Sequence, residues 1–244
     1  MIDIHAHLAF DYATRSHDVD ALLADMDRHG IEQRVVSALE GVSTAATNDF
    51  VSGLTQAHPG RLLGAAVLNP KEVGVLDEAA RLRDLPGIVM AEFNSFEHGY
   101  FPDTVAQLPA VLDILDDAGI GVKVFTGVGA VGMPHMWVRH AQAHPDLDFV
   151  FLHCGAFDYG YGCVDIAAEN PNISVETSNQ YEVQILRKMA ETLPAEKIVF
   201  GTSFPERFTS SGIGVFDGLG FNAPQLELVF GGNAARILNR RSTA

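Results

Sequence analysis

Short apolar runs recur along the chain at intervals wide enough for a helix. The first, Ile2-Asp3-Ile4-His5-Ala6-His7, alternates apolar and polar residues, and on a strand that alternation sends Asp3, His5 and His7 to one face. Runs rich in Val, Ile, Leu and Phe follow at residues 34–39, 62–68, 88–93, 121–125, 147–154, 173–177 and 198–202. Helical spacing of apolar residues predicts helices over 18–29, stopped by Gly30, and over 44–57, 71–82, 104–118, 133–144 and 181–193. Strands that are apolar on both faces suit a parallel sheet covered by helices. Strict strand-then-helix alternation therefore predicts an α/β chain. The expected form is a single, distorted (β/α)8 (TIM) barrel over residues 1–244, with a C-terminal helix. No Gly-x-Gly-x-x-Gly follows the first strand, so a doubly wound dinucleotide fold lacks its usual mark.

A barrel of this kind carries its active site at the carboxyl ends of its strands. Polar residues there are His5 and His7 on strand one, Glu92 and Asn94 on one parity of strand four, and Lys123 and Phe125 on one parity of strand five. Strand six ends at His153, strand seven offers Glu176, and strand eight runs into Ser203. His5, His7, His153 and Glu92 form a metal-site constellation, because neutral imidazoles and a carboxylate suit a divalent cation with an open position. Zn²⁺ fits these donors best, and Mn²⁺ or Fe²⁺ also suits them. Lys123 lies one layer deeper and has two readings: a structural partner of Asp3 or Glu92, or a functional lysine, either contacting substrate or cofactor or catalytic with a shifted pKa. The loops carry many aromatics together with Arg15, Arg207, Asn94, Asn179 and Gln180, a set suited to a small planar or cyclic carboxylate. Most of those aromatics are expected to pack the loops onto the barrel. His58, His135, His140 and His144 are expected at the surface, and Cys154 in the core.

The chain has 244 residues, 47% hydrophobic and 19% charged, which supports a large core. A formal charge of −15 argues against binding a phosphate backbone. Two cysteines make no disulfide framework, and no apolar run reaches membrane-spanning length. The N-terminus has no basic region followed by an apolar core and a cleavage site. These features predict a cytoplasmic protein whose partner is a small-molecule substrate, and neither nucleic acid nor a membrane; a homodimer is left open.

Four segments resemble, in order, the amidohydrolase-related superfamily of metal-dependent barrel hydrolases. They are Asp3-Ile4-His5-Ala6-His7, Phe151-Leu152-His153-Cys154-Gly155, Phe200-Gly201-Thr202-Ser203-Phe204-Pro205 and Gly231-Gly232-Asn233-Ala234-Ala235-Arg236-Ile237-Leu238. The likeness is greatest to the branch with pyrone-dicarboxylate lactonases and aminocarboxymuconate semialdehyde decarboxylase. The resemblance implies metal ligands at His5, His7 and His153, with Glu92 as a strand-four ligand. Two positions depart from it. Ser203 stands where the family has an Asp that serves as ligand or base, and Phe125 stands where it has a His. The resemblance implies a metal-dependent hydrolase of an amide, lactone or related bond in a small, carboxylate-bearing molecule. Metal-bound hydroxide would be the nucleophile. Ser203 can orient that water but cannot act as its base near neutral pH. Glu206, Glu176 and His98 are the candidate replacements. Arg15, Asn94, Phe125 and Arg207 are the expected substrate contacts. A metal-dependent decarboxylase or lyase is the first alternative, and a degenerate, non-catalytic binding barrel the second.

Overall fold

The eight apolar runs form one sheet of parallel strands in chain order. They are β1 (Ile2–His7), β2 (Gln33–Ser37), β3 (Leu62–Val67), β4 (Ile88–Phe93), β5 (Gly121–Phe125), β6 (Phe149–Leu152), β7 (Ile173–Glu176) and β8 (Ile198–Val199). The structure is a computed structural model and describes residues 1–239. Individual backbone bonds close the ring between β8 and β1. Ile4 N–H donates to Phe200 O at 3.1 Å, Ser203 N–H to His5 O at 2.9 Å and His7 N–H to Phe204 O at 2.6 Å. The result is a distorted (β/α)8 barrel. Regular strand pairing in the eighth run stops at Val199 rather than 202, because the next residue turns its N–H to Val229 O and the chain beyond bonds irregularly to β1.

One principal helix follows each strand: α1 (Val19–His29), α2 (Thr44–Ala57), α3 (Val75–Arg81), α4 (Leu108–Asp117), α5 (Val138–Ala143), α6 (Ala156–Glu169), α7 (Val183–Thr192) and α8 (Asn233–Leu238). Local chemistry sets their ends. The Asp18 carboxylate accepts the Ala21 N–H at the start of α1, and Gly30 closes that helix at φ 67°. Periodicity does not single out α6, since Gly160 and Gly162 lower its helix propensity. Gly160 is there for packing: a Cβ would meet Ile185 Cδ1 of α7 at 2.5 Å.

Two apolar clusters follow from the strand geometry. Outward residues such as Val36, Ala91, Val122 and Phe151 pack under the helices. Inward residues Ile4, Val35, Ala65, Met90, Val150 and Val199 fill the barrel, joined by Ala234 and Ile237 of α8. Asp3 faces the helices, contrary to simple alternation. Asp3 pairs with Arg34 of β2 whereas Ala6 pairs with Val36, so β1 holds one extra residue between them. That bulge resets the parity and lets Ile4 and His5 both serve the interior. Asp3 accepts from Arg34 Nε at 2.7 Å and Thr202 Oγ1 at 2.6 Å, and Arg34 Nη2 donates to Asp25 of α1 at 2.8 Å. It is an anchor between layers.

His140 and His144 are buried rather than at the surface. His140 Nε2 reaches Pro102 O at 2.9 Å and His144 Nε2 reaches Asp113 of α4 at 3.0 Å, so they dock α5 onto its neighbours. Cys154 is buried in the core. Several aromatics beyond the strand ends stay uncovered: Tyr12 and Phe208 in loops, Phe96 in a single helical turn, and Phe157 and Tyr161 in the first turns of α6. Among the described residues no helix is long and apolar enough to cross a membrane.

Candidate metal centre

Two strand ends bring three imidazoles together, His5 and His7 from β1 and His153 from the end of β6. The rings of His5 and His7 have centroids 4.8 Å apart, and those of His5 and His153 are 5.2 Å apart. Glu92 joins the first pair from β4, with one candidate ligand atom from each of His5, His7 and Glu92 all within 4.8 Å of one another. His153 is placed by a strained turn. His153, Cys154, Gly155 and Ala156 have φ of 64°, 44°, 72° and 35°, values that only glycine adopts freely. Each such non-glycine residue costs on the order of 1–3 kcal/mol, and this kind of strain clusters at functional sites. Thr126 Oγ1 holds the turn by donating to Leu152 O at 2.5 Å and accepting the Gly155 N–H at 3.1 Å.

Charge is arranged in a chain below the rings. Glu92 Oε1 lies 2.9 Å from His7 Nε2, while Oε2 accepts from Lys123 Nζ at 2.9 Å and from the Ser37 hydroxyl. Lys123 Nζ also lies 3.2 Å from His5 Nδ1. Burial, helped by Lys123, holds His5 well below the ordinary histidine pKa, and burial pushes His153 down to about 4. Burial also opposes charge on His7, but the Glu92 and Glu206 carboxylates overcome it and push that ring up to about 9. Glu92 stays well below the usual carboxylate range despite its burial, because Lys123 and His7 face it.

The donor set fits a divalent cation. His5 Nε2 is buried with no hydrogen-bond partner, an orphaned position that a metal would fill. His153 Nδ1 lies 3.2 Å from Ser178 O and His7 Nδ1 lies 3.4 Å from Glu206 Oε1. At His153 that acceptor puts the proton on Nδ1 and leaves the Nε2 lone pair for a ligand. His7 Nε2 faces Glu92 Oε1, so a cation there would have to displace the proton between them. Glu92 Oε1 is the oxygen turned to the imidazoles, its partner oxygen being anchored by Lys123 and Ser37. Lys123 sets the tautomer of His5: donation to Nδ1 puts the ring proton on Nε2, so ligation there needs that contact released.

The cavity above holds about 250 Å³ and is lined by His5, His7, Glu92 and His153 together with Asn94, Phe125, Ser203 and Arg207. Two expected site residues lie elsewhere. Lys123 is fully buried beneath the cavity and does not line it, so it positions Glu92 and His5 rather than meeting a bound molecule. Arg15 lines a neighbouring cavity because its hairpin leans toward α2. Of the three replacement bases, Glu206 alone lines the site. Glu176 lies behind it, accepting the His153 N–H at 3.0 Å, and burial pushes its carboxyl up to about 7. Arg207 Nε donates to Asn179 Oδ1 at 2.6 Å, which holds the guanidinium at the rim. Sequence reasoning passed over Ser37 and Ser178, which hold Glu92 and His153. Ser37 carried a usable signal, a polar residue within the apolar run of β2.

Comparison with known proteins agrees with this fold. Among curated proteins none matches the chain. Solved structures share its fold across almost its whole length. Against 5-carboxyvanillate decarboxylase from Sphingomonas paucimobilis the TM-score is 0.76 at 17% identity, covering 98% of each chain. A protein assigned as 2-pyrone-4,6-dicarboxylic acid hydrolase from Pseudomonas putida gives 0.76 at 20% identity, covering 98% of this chain and 97% of that one. A dihydroxybenzoic acid decarboxylase from Polaromonas, with bound manganese and 2-nitroresorcinol, gives 0.74 at 17% identity, covering 98% and 96%. The amidohydrolase family model matches residues 2–240, and the chain belongs to that family.

Proposed function

We propose that the chain is a metal-dependent hydrolase of an amide, lactone or related bond in a small, carboxylate-bearing molecule. The observation that carries this reading is Glu206, a carboxylate on the strand-eight loop that lines the cavity and reaches His7, beside the serine that replaces the family's acid. His5, His7, His153 and Glu92 would hold the cation. When bound, a divalent cation supplies Lewis acidity that polarises a carbonyl and acidifies water. Glu206 takes the proton from the attacking water, and Ser203 orients that water through its hydroxyl. Arg207, fixed by Asn179, pairs with the substrate carboxylate at the rim. Phe125, its ring 5.5 Å from that of His153, supplies an apolar wall. Lys123 keeps Glu92 charged and aligned.

The test uses the full chain reconstituted with Zn²⁺ or Mn²⁺ and a panel of lactones and N-acyl compounds carrying a carboxylate. Glu206→Gln is expected to lower kcat about 10²–10⁴-fold, the usual worth of general acid–base help, while metal content stays at the wild-type level. An unchanged kcat would remove Glu206 from the reaction.

Decarboxylation is the second reading, and Ser203 favours it. A reaction that releases CO₂ needs no base to activate water, so it does not depend on the lost acid in that role. Product analysis in ¹⁸O-water separates the two, since hydrolysis leaves a solvent oxygen in the organic product, whereas decarboxylation releases CO₂ and leaves none there.

A further inference from the structure

The cavity over the histidines is small. Its 250 Å³ falls below the ~300–1,000 Å³ usual for small-molecule sites. A second cavity of about 620 Å³ adjoins it, and Leu39, two residues beyond β2, lines both. The wall of this second cavity is a hairpin of two short strands, Phe10–Asp11 and Ser16–His17, which leaves β1 just after His7. Opposite stands Phe50 of α2.

Four of the eleven lining residues, Phe10, Tyr12, His17 and Phe50, carry a ring. Phe10 meets Tyr12 edge-on with centroids 5.0 Å apart, and His17 stacks on Phe50 at 4.8 Å. Tyr12 is 74% exposed and Phe50 38%, so large ring surfaces are uncovered beside a polar centre. Held rings of this kind give a planar apolar group contact area and stacking at little cost in side-chain entropy.

We infer that the two cavities form one elongated substrate site. The reactive, carboxylate-bearing head lies at His5, His7 and His153. An aromatic tail of the same molecule crosses Leu39 and lies against Phe10, Tyr12 and Phe50. The head position rests on the proposed function; the tail position rests on the second cavity, and the two can fail separately.

The probe is 4-biphenylcarboxylate, with acetate as the head alone, titrated calorimetrically into the full chain loaded with Zn²⁺. The expected result is that 4-biphenylcarboxylate binds at least about tenfold more tightly than acetate. Tyr12→Ala and Phe50→Ala should each weaken it about 3–10-fold, the range of one aromatic contact, with acetate unchanged. Tyr12 is mostly exposed, so its removal leaves barrel packing intact. Leu39→Trp should block the junction and abolish the preference for 4-biphenylcarboxylate. Equal binding of the two acids, or ring binding indifferent to all three variants, would overturn the inference. Ring-dependent binding in a protein that hydrolyses nothing on the panel would overturn the proposed function and leave the tail site standing. Hydrolysis without ring dependence would do the reverse.

Discussion

The barrel interior has two layers whose chemistry is opposite. Toward the amino-terminal ends of the strands it is filled by Ile4, Val35, Ala65, Met90 and Val199, covered by Ala234 and Ile237 of α8. Toward the carboxyl ends it holds His5, His7, Ser37, Glu92, Lys123 and His153, every one of them buried. The first layer gains free energy simply by leaving water, about 25 cal/mol per Å² of apolar surface. The second tolerates burial only because its charges face one another and its hydroxyls are paired. Backbone strain follows the same division. Among the described residues the non-glycine positions with positive φ are Arg15, His153, Cys154, Ala156, Asn179 and Ser203, all in the segments that follow the carboxyl ends of strands. One end of the barrel supplies stability, and the other holds charge and strain in place for binding.

Three substitutions bear on that division. Lys123→Met should have the largest effect, because it leaves Glu92 buried without its main counter-charge. The expected cost is about 3–5 kcal/mol, read from urea unfolding of the metal-free protein. Adding Glu92→Gln should restore part of it, since the uncompensated charge is then gone. A loss below about 1 kcal/mol for Lys123→Met would mean that the upper layer is wetter and less dependent on pairing than described.

Met90→Ala probes the lower layer. Loss of a fully buried side chain should cost about 2–5 kcal/mol, again by urea unfolding, with Zn²⁺ stoichiometry unchanged by elemental analysis. A fall in bound Zn²⁺ would show that the layers are mechanically coupled, Met90 and Glu92 lying on one strand.

Ala156→Gly should have the smallest effect and the opposite sign. Relief of a φ of 35° is worth roughly 1–3 kcal/mol, and the extra freedom of glycine in the unfolded chain takes back about 0.4–1 kcal/mol. A net gain of about 1 kcal/mol in thermal or urea unfolding is expected. Destabilisation would show that the turn holding His153 is not strained at this position.

Much of the upper layer is legible in the amino-acid sequence. His5, His7 and His153 stand at strand ends where a barrel puts its chemistry, and the inward parity of Lys123 with Phe125 follows from their spacing. Asp3 cannot be placed in the same way. Its outward direction depends on a bulge, and a bulge is a property of two paired strands rather than of one. Spacing alone leaves the partner of Lys123 open between Asp3 and Glu92; in the folded chain Arg34 takes the former and leaves the latter. Arg15 and Glu206 both read as loop residues near the mouth, but the paths of their loops send one to a second cavity and the other onto His7.

By itself the sequence determined the alternation of strands and helices, the apolar filling of the barrel and the identity of the three imidazoles. Those features are periodic or local, set by side-chain hydrophobicity and by spacing along one element. Only the tertiary structure decided which carboxylate faces Lys123, which of the candidate bases faces the cavity, and that a second cavity adjoins the first. Each of these depends on distances between residues far apart in the chain, and such distances exist only once the ring of strands has closed.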